Sequence, residues 1–160
     1  KENIPISINN LKLSIKNKPT YGAYLLMAYF YFLINDIDSS FFSIYEAKKY
    51  SSDISWKFSE AFLLFYKDGD NLKKGLEVYK SISQKSIKKI PVITFDSISA
   101  SINDVLKEEK YQFYFSKIYL LSKCLNNKNQ AKIVFEEFIQ KTKGNSKYNF
   151  LINEAKSLID

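Results

Sequence analysis

Few residues in this sequence are equipped to do chemistry. The chain contains no histidine and no arginine. It therefore lacks the commonest general base and metal ligand, and the planar fork that grips phosphates and guanine edges. Its one cysteine, Cys124, lies late in the apolar run "YLLSKCLNN" with no histidine to take its proton, and is expected to be a buried, inert thiol. The stretch "KDGDN" at 67–71 starts like a calcium loop. That pattern needs an oxygen ligand where Leu72 stands and a glycine where Lys73 stands, so calcium fails. Walker-type, GxGxxG and GxSxG signatures are absent. Lysine, tyrosine and carboxylate groups are present, but no spacing positions them for acid–base work. A non-enzymatic protein is expected, with no catalytic residues, no metal and no cofactor.

Charge offers one kind of activity that needs no catalytic group. All 24 basic residues are lysine, set against 17 acidic ones, for a net charge of +7. The segment "KKGLEVYKSISQKSIKK" concentrates Lys73, Lys74, Lys80, Lys85, Lys88 and Lys89. Such a face suits an anionic surface, a membrane or nucleic acid, at about 1 kcal/mol per lysine near anionic lipid. The other reading is a solvated helix face that keeps a lysine-rich chain soluble.

The elements that must carry these side chains are helical. The chain has 160 residues, of which 46% are apolar, enough for one domain with a sizeable core. Only 4 glycines and 3 prolines leave little material for the many tight turns of a β-sandwich or barrel. Helical periodicity recurs over 7–17 (Ser7 as N-cap, although the alternation Ile4, Ile6, Ile8 reads equally as extended chain), 19–34 (Pro19 at the first position), 38–52 (capped by Asp38 or Ser39) and 53–68. It continues over 71–86, 93–108, 111–127, 130–142 and 146–159, making about nine helices. Short polar links make successive helices antiparallel neighbours. The run "PTYGAYLLMAYFYFLIN" at 19–35 holds no charge. It falls short of the roughly 20 apolar residues a membrane span needs, and its four tyrosines would strand hydroxyls at bilayer depth. A buried helix, apolar on all sides, is expected instead.

Within these helices "AYLLMAYFYF", "EAFLLFYKD" and "FYFSKIYLL" are alike, and each precedes a turn and a more amphipathic helix. The pattern resembles the tetratricopeptide repeat. In the first pair Tyr24, Met27, Ala28 and Tyr31 stand at that family's first-helix positions. Ser40, Ile44 and Ala47 stand at its second-helix positions, with Ser52 where proline is usual. In the second pair Phe58, Ala61, Phe65, Gly75 and Tyr79 match after one inserted residue, while Phe62 is bulky at the small position. A weaker third pair has Phe115, Ile118, Ala131, Phe135 and Phe138, with Tyr119 and Ser122 departing. Ile44 and Tyr79 are 35 residues apart, near the family period of about 34.

The resemblance implies an all-α, short α-solenoid over residues 1–160. An N-terminal helix (1–18) precedes two repeat pairs (19–89), an extra helix (90–109), a degenerate third pair (110–145) and a capping helix (146–160). A nonrepetitive helical bundle is the alternative. The family's concave groove implies a protein-interaction scaffold whose partner is another protein or peptide, such as an amphipathic helix. Carried over residue by residue, the groove is Leu25, Tyr29, Phe32 and Leu33, then Trp56, Ser59, Leu63, Tyr66 and Lys67, then Phe113, Ser116, Leu120 and Lys123. It is mostly apolar and aromatic, unlike family members that clamp a peptide carboxylate with basic residues. It is therefore either open to an apolar segment or filled by the chain itself.

The chain starts at Lys1 without methionine and shows no signal peptide. A processed bacterial envelope protein, tethered through a segment outside this sequence, is expected ahead of a cytoplasmic one. Exclusive use of lysine fits an AT-rich genome.

Overall fold

The computed structural model describes residues 3–51 and 54–160. Lys1, Glu2, Ser52 and Asp53 lie outside the described residues. So do the expectations that Ser52 replaces the usual proline and that Asp53 opens a helix. Among the described residues the protein is all-α, with ten α-helices and no strand. It divides into two compact units, Lys1–Leu64 and Phe65–Asp160.

The first unit contains α1 (Ile4–Asn17), α2 (Tyr21–Leu33) and α3 (Ile37–Ala47), which tightens into a 3-10 turn at Lys48–Tyr50. It also holds α4 (Ser55–Lys67) as far as Leu64. Side chains other than the expected ones cap these helices. Thr20 accepts the Ala23 N–H at 3.2 Å, so Pro19 precedes α2 rather than opening it. Asp36 accepts the Ser39 N–H at 3.1 Å, so neither Asp38 nor Ser39 caps α3. Each cap satisfies a first-turn donor that has no partner inside the helix. α1 starts at Ile4, three residues ahead of the expected Ser7 cap, because Pro5 fits the first turn, where no N–H is needed.

Two apolar clusters fill this unit. Tyr24, Met27 and Ala47 gather Leu11, Ile15 and Tyr21. Ala28, Ile44 and Leu63 gather Phe32, Phe41, Trp56 and Phe62. α2 and α3 close on small residues: the Ser40 hydroxyl donates to the Ala28 carbonyl at 2.6 Å. Phe62, too bulky for the small position, instead packs edge-on against Phe32 at 5.3 Å.

The second unit starts with the end of α4. It continues through α5 (Asn71–Lys80), α6 (Gln84–Ile87), α7 (Val92–Lys107) and α8 (Phe113–Tyr119). α8 runs into a π-helical turn at Leu120–Cys124, followed by α9 (Lys128–Lys141), a 3-10 turn at Ser146–Tyr148 and α10 (Asn149–Ile159). The helix expected over 71–86 is thus two, and that over 111–127 changes winding midway. Tyr119 and Ser122, which depart from the repeat pattern, sit at this change. The Ser122 hydroxyl takes the Ile118 carbonyl at 2.8 Å, and the Tyr119 hydroxyl reaches across to the Tyr79 carbonyl at 3.2 Å. Phe65, Tyr79, Phe113 and Phe115 form an edge-to-face aromatic core. α10 packs on α8 and α9, with Leu151 and Ala155 fully buried.

Among the described residues four helix ends stop on a left-handed residue that is not glycine: Asn35, Asp68, Glu109 and Asn126. After α7 the Glu109 N–H donates to Leu106 and the Lys110 N–H to Val105, at 3.1 and 3.3 Å, which satisfies two terminal carbonyls. Asn and Asp tolerate this backbone, whereas glutamate is strained there. At "KDGDN", Asp68 and Gly69 are both left-handed, so glycine is required in second place. Asp68 accepts the Gly69 N–H at 2.7 Å and pairs with Lys147.

Two changes test this account. Glu109→Gly relieves left-handed strain on an exposed residue and should raise stability by up to about 1 kcal/mol, read as a higher denaturant midpoint. Buried Gln112 donates to the Phe65 carbonyl near the end of α4 at 2.9 Å. Gln112→Met keeps the volume but removes this donor, and should lower stability by about 1–3 kcal/mol in the same titration.

Candidate functional site

α2 is a helix without charge, and three of its sides are covered within its own unit. α1 lies against Tyr24 and Met27, α3 against Ala28, and α4 against Phe32. The fourth side carries Gly22, Leu26, Tyr29 and Leu33, spaced to share one helix face. Leu26 is 45% exposed and Tyr29 49% exposed, while Leu25, Phe32 and Leu33 are half-buried beside them. Among the described residues no helix is long and apolar enough to cross a membrane.

On the α4 side Trp56 and Ser59 are half-buried and Leu63 is 3% exposed. The Trp56 N–H donates to the Tyr21 hydroxyl at 3.0 Å, which ties the start of α4 to the start of α2. The Lys48 ammonium stands 4.6 Å from the Tyr45 ring centre and 5.0 Å from that of Trp56, with Lys57 at 5.8 Å from Trp56. These cation–π contacts bring positive charge to the aromatic edge. Burial raises the Glu60 carboxyl above its ordinary range, against the lowering pull of Lys48 and Lys57.

The expected groove residues of the first unit therefore differ in access: Tyr29 is open, Leu25, Phe32, Trp56 and Ser59 are partly open, and Leu63 is core. In the second unit Tyr66 is half-buried with the Lys110 ammonium 4.4 Å from its ring centre, and Lys67 and Lys123 are exposed. Phe113, Ser116 and Leu120 were expected on a groove face but are buried. Phe113 packs on Phe65, and Ser116 accepts the Tyr79 hydroxyl at 2.8 Å. At these three positions the chain fills itself. Leu26, absent from the expected groove positions, lies three residues before Tyr29 in the same uncharged run.

Two further places have some capacity for binding. An open depression of about 420 Å³ between α1, α2 and α3 has Lys12 and Asp38 at its rim and Met27 and Tyr31 in its wall. The six lysines of the basic segment are all exposed, and Lys80 pairs with Glu154 at 2.7 Å.

Burial shifts one thiol and two phenols toward their neutral forms. Burial pushes the Cys124 thiol up to about 12. Burial also raises the Tyr79 and Tyr119 phenols well above their ordinary range, although the Ser116 hydrogen bond pulls Tyr79 back slightly. Such groups stabilise the fold below their unfolded pKa values, about 8.5 for a thiol and about 10 for a phenol. That contribution is lost as pH rises through the folded values, because the unfolded chain releases its protons first. The melting temperature should therefore be level through neutral pH and fall above about pH 9. Native Cys124 should also react with an aromatic disulfide reagent far more slowly than the denatured chain does; equal rates would show an accessible thiol.

No protein-family model matches this chain, and no curated protein or solved structure is significantly similar to it.

Proposed function

We propose that this protein is a non-enzymatic interaction scaffold built from tetratricopeptide-like helix pairs, and that it holds an apolar helical segment of a partner protein on the outward face of α2. The observation that carries the reading is Leu26 and Tyr29, both about half exposed on a charge-free helix whose other sides are packed. Exposed apolar groups in a row are what a groove-binding amphipathic helix covers. Trp56 and the lysine-flanked edge beside it supply an aromatic anchor and a cationic rim.

The repeat assignment draws support from the first pair. Tyr24, Met27, Ile44 and Ala47, the large and small positions of that pattern, are buried, and Ala28 meets Ser40 where two small residues are required. In the third pair Phe115, Ile118, Ala131 and Phe138 are buried in the same way.

Capture from a lysate of the source cell on the immobilised chain, with variants run in parallel, tests the reading. Tyr29→Ala should weaken retention of the specific partner by about 1–3 kcal/mol while leaving the melting temperature nearly unchanged. Leu63→Ala, at a packed position, should instead cost about 2–5 kcal/mol of stability. Lys73→Glu with Lys74→Glu should leave retention unchanged. If Tyr29→Ala retains every species that the wild type retains, the α2 face is not the binding surface.

A further inference from the structure

The corner between α6 and α7 combines exposed lysines with a protruding apolar pair. Lys85 lies in α6, Lys88 and Lys89 follow it, and all three are exposed. Ile87 and Ile90 are buried and hold the corner against its own unit. Pro91 then leads into α7, where Val92 is 67% exposed and Ile93 73% exposed. Among the described residues no other large apolar side chain stands further into solvent. No acidic residue occurs between Glu77 and Asp96, and Asp96 lies a full turn along α7 from Val92. α7 also starts without a side-chain cap, so the positive end of a 16-residue helix faces the same corner.

A protruding apolar pair, with three exposed lysines within eight residues before it in the chain, matches the layering of a bilayer interface. There, apolar atoms sit below the headgroups and lysine stems reach back to the phosphates. Neither half suffices alone, since shallow insertion is marginal and a few lysines attract only weakly; together they make a reversible anchor. Nucleic acid fits less well: the corner offers no aromatic ring for a base to stack on, and the chain has no arginine to read one.

We propose that this corner is a peripheral membrane-docking site for anionic phospholipid, with Val92 and Ile93 inserted at the interface and Lys85, Lys88 and Lys89 on headgroup phosphates. The lysine segment as a whole does not define it. Lys73 and Lys74 lie on α5, where no exposed large apolar residue accompanies them.

The test is flotation of the full chain with vesicles of phosphatidylcholine alone or mixed with phosphatidylglycerol, at low and at physiological salt. Binding is expected only with phosphatidylglycerol, and it should weaken as salt rises. Lys88→Ala with Lys89→Ala should lower partitioning about 25-fold, at about fivefold per lysine. Val92→Ser with Ile93→Ser should lower it about tenfold or more at an unchanged melting temperature, because both side chains are exposed in the free protein. Lys73→Ala with Lys74→Ala should have a much smaller effect. The proposal is overturned if the Val92/Ile93 variant partitions like the wild type, or if the two lysine pairs weaken binding equally. Either result would leave only diffuse attraction between a cationic protein and an anionic surface. It is also overturned if phosphatidylglycerol vesicles are not bound while single-stranded DNA is, since the corner would then be a nucleic-acid contact.

Discussion

The hydroxyl of Tyr79 donates to Ser116 at 2.8 Å in the interior of the second unit, and much of the packing there follows from the need to satisfy it. A buried phenol without a partner costs about 1–3 kcal/mol. Phenylalanine rings tolerate several edge-to-face arrangements around Phe65, but few of them place a hydroxyl opposite Tyr79 and also bring Tyr119 to the Tyr79 carbonyl. Sliding α8 along α5 by one turn would break both bonds. Polar contacts thus select one packing from the set that bulky rings would allow. The first unit uses the same device on a smaller scale. Ser40 bonds the Ala28 carbonyl, and Tyr21 receives the Trp56 N–H, so the aromatic surface of α2 meets its neighbours in one register.

This constraint bears on function because it decides which aromatic rings remain outside. In the second unit the rings close on themselves, and positions that a repeat groove would expose are consumed by the core. In the first unit α2 is wrapped on three sides and its fourth face has nothing polar to offer water beyond a single tyrosine hydroxyl. This face is the one that the proposed partner segment would cover.

The exclusive use of lysine shapes what remains of the surface. Lysine pairs with carboxylates as a point charge, and the pairs seen here, such as Lys80 with Glu154 and Lys107 with Asp104, are largely exposed. Exposed pairs of this kind contribute little to stability. The fold therefore rests on its apolar and aromatic interior rather than on these ion pairs. Lys48 covers Tyr45 and Trp56, while the α6–α7 corner leaves its lysines around an apolar tip.

Helix content and the order of most helices were legible in the sequence, whereas the uncharged run, expected to be buried on all sides, keeps Leu26 and Tyr29 about half exposed, and Cys124 is only partly buried. The legible part follows from local spacing, that is, helical period and turn residues. Ala28 and Ser40, small residues on successive helices, do meet in the structure. What the sequence did not determine was the fate of residues whose surroundings come from distant segments. Ser116 and Phe113 look like groove positions until Tyr79 and Phe65, dozens of residues away, are found against them. Val92 and Ile93 are apolar like the stripe that follows them on α7, yet they stand in solvent while Phe95 and Ile102 are buried. The π-helical turn at Leu120–Cys124 has the same origin, because it brings Tyr119 to a carbonyl that no local pattern announces. Periodicity records which face of a helix is apolar. Only tertiary packing decides whether that face is covered by the chain itself or left for something else.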